Sequence, residues 1–236
     1  MKNRNYKDQV RLLLSVLPDV AKEQCFALHG GTAINLFIRN MPRLSVDIDL
    51  TYCPIEDRST TLQSIDEALE RIQRYVEATL KGARVRHQNE TRKLLISHDG
   101  AEVKLEVNTV SRGLLSDPIK RPLCEKTQAE FDAFALTPIV PLGQLYGGKI
   151  CAAMDRQHPR DLFDIKYLLE NEGITDEIRK GFLFCLLCSD RPINEVISPN
   201  FQDQRQAMDN QFKGMSLESF SYEDFERTRE TLIETV

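Results

Sequence analysis

HGGTAINLFIRNMPRLSVDIDLTY, residues 29–52, places two adjacent glycines at the head of an apolar run and two aspartates, Asp47 and Asp49, one residue apart at its end. SVDIDLTY alternates with period two, which predicts a strand with Val46, Ile48 and Leu50 on one face and both aspartates on the other. Their backbone positions are then roughly 6.6 Å apart. Two like charges held this close repel unless a cation sits between them. Magnesium, or manganese, which takes a few carboxylates together with substrate phosphates, suits that geometry. Upstream, the apolar strand CFALHG passes into the helical stretch GTAINLFIRN at Gly30-Gly31-Thr32, so the backbone N–H groups of the turn can receive phosphate oxygens. A phosphate cradle and metal ligands on consecutive elements suit a nucleoside triphosphate (NTP) and its metal; the plainer alternative is a solvated strand face that happens to carry two acids.

Outward from this stretch the chain has two characters. Val10, Leu13, Leu14 and Leu17 recur at helical spacing, predicting a helix over about 5–17 that stops near Pro18. Leu62, Ile65, Leu69, Ile72, Val76 and Leu80 mark a long helix closed by Gly82, and strands follow at about 83–88, 92–98 and 102–110. Between 111 and 141 four prolines interrupt any periodicity, leaving one strand expected at FDAFAL and otherwise a linker or domain edge. From 142 onward every segment reads as helix. The expected fold class is therefore α+β: a mixed-sheet domain over residues 1–140, then an all-helical C-terminal domain over 141–236.

Composition narrows the setting. The 236 residues are 41% apolar and 28% charged, as in an ordinary globular protein. A net charge of −5 provides no global attraction to nucleic acid, so such a partner would need a local basic patch. No uncharged apolar run approaches the roughly 18 residues of a spanning helix, the N-terminus lacks the apolar segment of a secretion signal, and six irregularly spaced cysteines suit reduced thiols, so a cytoplasmic protein without membrane contact is expected. The Cys185-x-x-Cys188 pair lies in an apolar helical run and reads as packing.

Three further groups carry chemistry. In LYGGKICAAMDRQ, Lys149 falls inside the apolar arc of Leu145, Tyr146, Ile150 and Ala153; it either snorkels to water or points an ammonium into a cleft to meet triphosphate oxygens. In the next helix Asp161 and Asp164 share a side with Ile165 and Leu168, and Asp161 also suits the helix N-terminus. In AEVKLEVNTV, Lys104, Glu106 and Asn108 face away from the core, so Glu106 is either a third metal carboxylate reaching the Asp47/Asp49 face or part of an exposed strand face. Residues 81–93, KGARVRHQNETRK, gather Lys81, Arg84, Arg86, Arg92 and Lys93 against the single acid Glu90.

The order Gly-Gly-Thr, helix, Arg43-x-Ser45-x-Asp47-x-Asp49, followed by a lysine on one helix and Arg160-Asp161-x-x-Asp164 opening the next, resembles the AbiE (AbiEii) toxin family of the DNA polymerase β-like nucleotidyltransferase superfamily. The two matches reach from about residue 26 to 169. The resemblance implies a toxin of a bacterial toxin–antitoxin system that transfers NMP from an NTP to RNA, with the tRNA 3′ end a candidate acceptor, and that is countered by a cognate antitoxin. It implies Asp47 and Asp49 as metal ligands, Gly30, Gly31, Thr32, Arg43, Ser45 and Lys149 as nucleotide contacts, and Lys149 with Asp161 or Asp164 as active-site residues. The superfamily generally has aspartate where this chain has Glu106. In such an enzyme Arg84, Arg86, Arg92 and Lys93 become candidate contacts to RNA phosphates. A protein hydroxyl as acceptor, a phosphatase reading of Asp47-Ile-Asp-Leu-Thr51, and a non-catalytic nucleotide-binding module stand as alternatives.

Overall fold

The computed structural model describes residues 5–236. The chain is α+β and divides into two compact units, Met1–Val140 and Pro141–Val236.

The first unit is built on a seven-stranded mixed sheet. In chain order its elements are α1 (Tyr6–Val20), β1 (Phe26–His29), α2 (Gly30–Ala33) continuing as a π-helical turn (Ile34–Ile38), β2 (Asp47–Tyr52), α3 (Arg58–Thr79), β3 (Arg84–Gln88), β4 (Lys93–His98), β5 (Ala101–Asn108), β6 (Ile119–Pro122), α4 (Glu125–Phe131) and β7 (Leu136–Ile139). The strand order is β3-β4-β5-β2-β1-β7-β6, with β2 parallel to β5, β1 parallel to β7 and the remaining pairs antiparallel. One face buries Leu28, Ile48, Leu50, Leu94, Ile96, Val103, Leu105 and Val107, and α1 and α3 pack on these strands with Val10, Leu13, Leu17, Ile65, Leu69 and Ile72. Burying such aliphatic side chains is the dominant favourable term of the unit. A bidentate pair from Arg71 to Glu23, 2.9 Å on both arms, ties α3 to the turn after α1.

Two sequence expectations are corrected here. Helix α1 runs through Pro18 to Val20, because Val16, Leu17 and Val20 are buried and hold the last turn in place despite the proline. The proline-rich stretch 111–141 is no linker: β6 and β7 extend the sheet and α4 lies between them, while of FDAFAL only Leu136 enters a strand. Pro138 sits within β7, where the neighbouring bonds are carried by others, including Val140 N–H to the Leu28 carbonyl at 3.1 Å.

The second unit is helical: α5 (Leu142–Arg156), α6 (Pro159–Asn171), α7 (Asp176–Leu187), α8 (Ile193–Ile197), α9 (Arg205–Ala207) continuing as a π-helical turn (Met208–Phe212), and α10 (Tyr222–Thr235). Helices α5 and α7 meet through glycines. A Cβ on Gly147 would overlap the backbone of Gly181 and Phe182, one on Gly181 would overlap the Gly143 carbonyl, and one on Gly143 would come 2.5 Å from the Glu177 carbonyl oxygen. Backbone thus meets backbone along this seam. Phe163 of α6 meets Phe212 and Phe220 in a tilted and edge-to-face cluster, with ring centroids 5.4–5.6 Å apart.

Candidate active site

Strand β2 presents the acids as its period dictates: Ile48 and Leu50 are buried, Asp47 and Asp49 are half-buried on the opposite face. Register puts His29 of β1 opposite Asp49 on one side; on the other, Lys104 and Glu106 of β5 stand opposite Asp47 and Asp49. The glycine turn fits against these acids closely. Gly30 has φ +70°, and a Cβ there would overlap the Asp49 carboxylate, so only glycine leaves room for that side chain. At Gly31 a Cβ would come within 2.7 Å of Arg43 Nη2 and 3.0 Å of Ser45 Oγ. Thr32 Oγ1 donates to the Asp47 carbonyl at 2.5 Å and lies 3.0 Å from Ser45 Oγ, stitching the start of α2 to the start of β2. Arg43 is almost fully buried, its Nη1 donating to the Leu44 carbonyl at 2.9 Å, so its guanidinium lies beneath the turn as a support. Gly30, Gly31, Thr32, Ser45, Asp47 and Asp49 are therefore brought together, with Arg43 behind them. Two carboxylates on one strand face, beside a turn into which no Cβ fits, are a donor set of the kind magnesium shares with substrate phosphates.

Glu106 stands opposite Asp49, in company with two lysines. It reaches the acid face, but its Oε2 accepts from Lys104 Nζ at 2.7 Å and its Oε1 lies 2.9 Å from Lys93 Nζ. Burial works against the charged carboxylate, yet the two lysines hold it below the ordinary glutamate range. For Lys104, burial pulls the ammonium's pKa down while Glu106, Asp47 and Asp49 push it up, and the push prevails. Lys104 had no expected part in the site; its alternation with Glu106 in AEVKLEVN was the available signal.

The basic stretch also divides. Arg84 and Arg86 are exposed on edge strand β3, and Lys93 shares their face of the sheet. Arg92, at φ +51°, turns away to pair with Asp66 of α3 at 3.0 Å. It leaves the cluster because the left-handed backbone between β3 and β4 aims its side chain at that helix.

In the second unit Lys149 is buried, and its Nζ lies 2.8 Å from Asp161 Oδ1 and 3.0 Å from Asp164 Oδ2. Both aspartates expected here as candidates therefore contact Lys149. Arg156, which sequence reasoning missed, adds a bidentate contact to Asp161 at 2.6 and 3.1 Å. Burial alone would raise the Asp161 pKa, but the adjacent Lys149 and Arg156 charges hold it well below the usual carboxylate range. Asp161 is delivered by the start of α6, where Pro159 occupies the first turn and His158 Nδ1 accepts from the Arg160 N–H at 3.1 Å. Burial lowers the His158 pKa, which keeps that nitrogen an acceptor. Cys151 and Cys185 are pushed up to about 12 by burial, so they are packing thiols.

The fold is that of nucleotidyltransferases. MenT4, a nucleotidyltransferase toxin from Mycobacterium tuberculosis H37Rv, superimposes with a TM-score of 0.64 at 15% identity, over 99% of this chain and 86% of that one. A candidate nucleotidyltransferase from H. pylori superimposes with a TM-score of 0.57 at 14% identity, over 98% of this chain and 94% of that one. No curated protein matches by sequence. The chain belongs to the AbiEii nucleotidyl transferase toxin family of type IV toxin–antitoxin systems, whose model matches residues 11–231. It is a nucleotidyltransferase, and membership implies an NTP substrate, a divalent metal and an antitoxin partner. Among the described residues no helix is long and apolar enough to cross a membrane.

Proposed function

We propose that this toxin transfers NMP from an NTP to RNA in the cytoplasm, with the 3′ end of tRNA as acceptor and magnesium or manganese held by Asp47 and Asp49. The observation that carries the reading is the contact between Asp49 and Gly30, which leaves no space for a side chain between the acid pair and the turn. In this reading the N–H groups of the Gly30-Gly31 turn receive phosphate oxygens, Thr32 and Ser45 fix the turn to β2, and Arg43 supports it from below. The acceptor oxygen bonds to the α-phosphorus as the bond to pyrophosphate breaks, and the hydroxyl proton is released. A bound divalent metal supplies charge stabilisation for the attacking and leaving oxygens. Glu106 is assigned to holding Lys93 and Lys104 rather than to the metal, because both its oxygens already face ammonium groups. Lys149 is an ammonium for which an incoming phosphate competes with Asp161 and Asp164.

The test is incubation with each α-labelled NTP, magnesium and total tRNA or cell extract, comparing wild type with Asp47→Asn and Asp49→Asn. Label is expected in RNA, and each variant should lose transfer by about a hundredfold or more while keeping its melting temperature. Near wild-type transfer by either variant would overturn the assignment of the pair. Label in protein would move the acceptor to a protein hydroxyl.

A further inference from the structure

Register extends the acid face across three more strands. Cross-strand partners share a face, so one line runs Asp47 (β2), Lys104 (β5), Leu95 (β4), Arg86 (β3), and the line beside it runs Asp49, Glu106, Lys93, Gln88. Arg84, opposite Ser97, which is itself opposite Glu102, begins a third. With strands about 4.8 Å apart, Lys93 lies roughly 10 Å and Arg86 roughly 14 Å from the acid-bearing strand. Beyond the acid pair, these strands set four cations, Lys104, Lys93, Arg86 and Arg84, against two carboxylates, Glu106 and Glu102. This is a net positive strip on a chain of net charge −5. Its inner end is organised: one carboxylate, Glu106, holds the ammonium groups of Lys93 and Lys104 at 2.9 and 2.7 Å, fixing two flexible side chains from different strands beside Asp47 and Asp49. Its outer end is exposed, at Arg84 and Arg86.

We propose that this strip is the track for the acceptor polynucleotide: phosphates of a single-stranded RNA end lie along Lys104, Lys93, Arg86 and Arg84 and lead its terminal hydroxyl to the acid pair. Charge complementarity selects the occupant, since a polyanion gains a contact at each strand it crosses and releases a counterion for each. The track rests on the reading of Asp47 and Asp49 as the reacting centre. It excludes Arg92, which the sequence alone groups with the others.

The experiment measures affinity for a fluorescein-labelled single-stranded oligoribonucleotide and for total tRNA over a range of salt concentrations, alongside NTP affinity and transfer. The variants are Arg84→Gln/Arg86→Gln, which disturbs no ion pair recorded at these arginines, the triple variant adding Lys93→Gln, and Arg92→Gln. The double variant should weaken RNA binding and flatten the slope of log affinity against log salt by about 1.4, and the triple by about 2, at about 0.7 per contact. NTP affinity of the double variant should stay within about twofold, and Arg92→Gln should bind RNA as wild type does. Unchanged RNA affinity and slope in the double and triple variants would overturn the track, as would an equal loss in Arg92→Gln. If the wild type binds no RNA and labels protein instead, the track fails while the transferase reading stands; if it transfers label to nothing, the reading beneath the track fails.

Discussion

Lys149 shows how much one side chain's setting decides. Its ammonium sits between two carboxylates that are themselves almost fully buried, and removing one partner of a buried ion pair leaves uncompensated charge. Lys149→Met is therefore expected to destabilise the protein by about 3–5 kcal/mol, a fall in melting temperature of roughly 6–20 °C. A lysine that only snorkelled to water would lose far less, and thermal unfolding separates the two. The same cluster sets an acid limit. A carboxyl held below its unfolded value binds fewer protons in the folded state, so Asp161 contributes stability that is complete above the unfolded value of about 3.9 and lost as pH falls further. Melting temperature measured against pH should drop in that acid range in the wild type and drop less steeply in Lys149→Met, where part of the depression is gone. Equal acid slopes would remove Lys149 as the cause.

At the scale of elements, the α5–α7 seam makes a prediction opposite to helix propensity. Alanine is favoured over glycine by up to about 1 kcal/mol inside a helix, yet at Gly147 or Gly181 its methyl has backbone where it must go. Gly147→Ala and Gly181→Ala should each cost about 3 kcal/mol, at the upper end of overpacking costs, lowering the melting temperature by roughly 6–12 °C; a rise in either variant would mean that the helices stand further apart. Neither the seam nor its partners could be read from the sequence, because a glycine in a helical pattern does not reveal which backbone approaches it. Elements with a long period were legible: α3, β2 and the helices after 142 follow the spacing of their apolar residues. The short elements β6, α4 and β7 were not, since four to seven residues with prolines at 122 and 138 carry no period to detect. At the site, alternation in SVDIDLTY gave the faces of Asp47 and Asp49, and alternation in AEVKLEVN puts Lys104 beside Glu106, whereas the pairing of Glu106 with Lys93 depends on cross-strand register, which no local pattern encodes.

For the whole molecule, the reading of Asp47 and Asp49 ties metal and nucleotide to stability. A ligand that binds only the folded chain stabilises it by about 2.7 kcal/mol at a hundred times its dissociation constant, a rise of roughly 5–11 °C in melting temperature for a chain of this size. Magnesium together with a non-hydrolysable NTP analogue should produce such a rise, chelation of the metal should reverse it, and Asp47→Asn should not show it. A rise that persists in the variant would place the nucleotide elsewhere. The sheet that carries these acids also ends in an edge strand: among the described residues β3 pairs with no strand but β4, so its outer edge is open to another strand. Exposed edges of this kind recruit strands from other copies, and charged side chains along the edge deter them. Arg84 and Arg86 put charge on that open edge as well as on the proposed RNA track, so Arg84→Gln/Arg86→Gln is expected to increase self-association, measured by light scattering, alongside any loss of RNA binding.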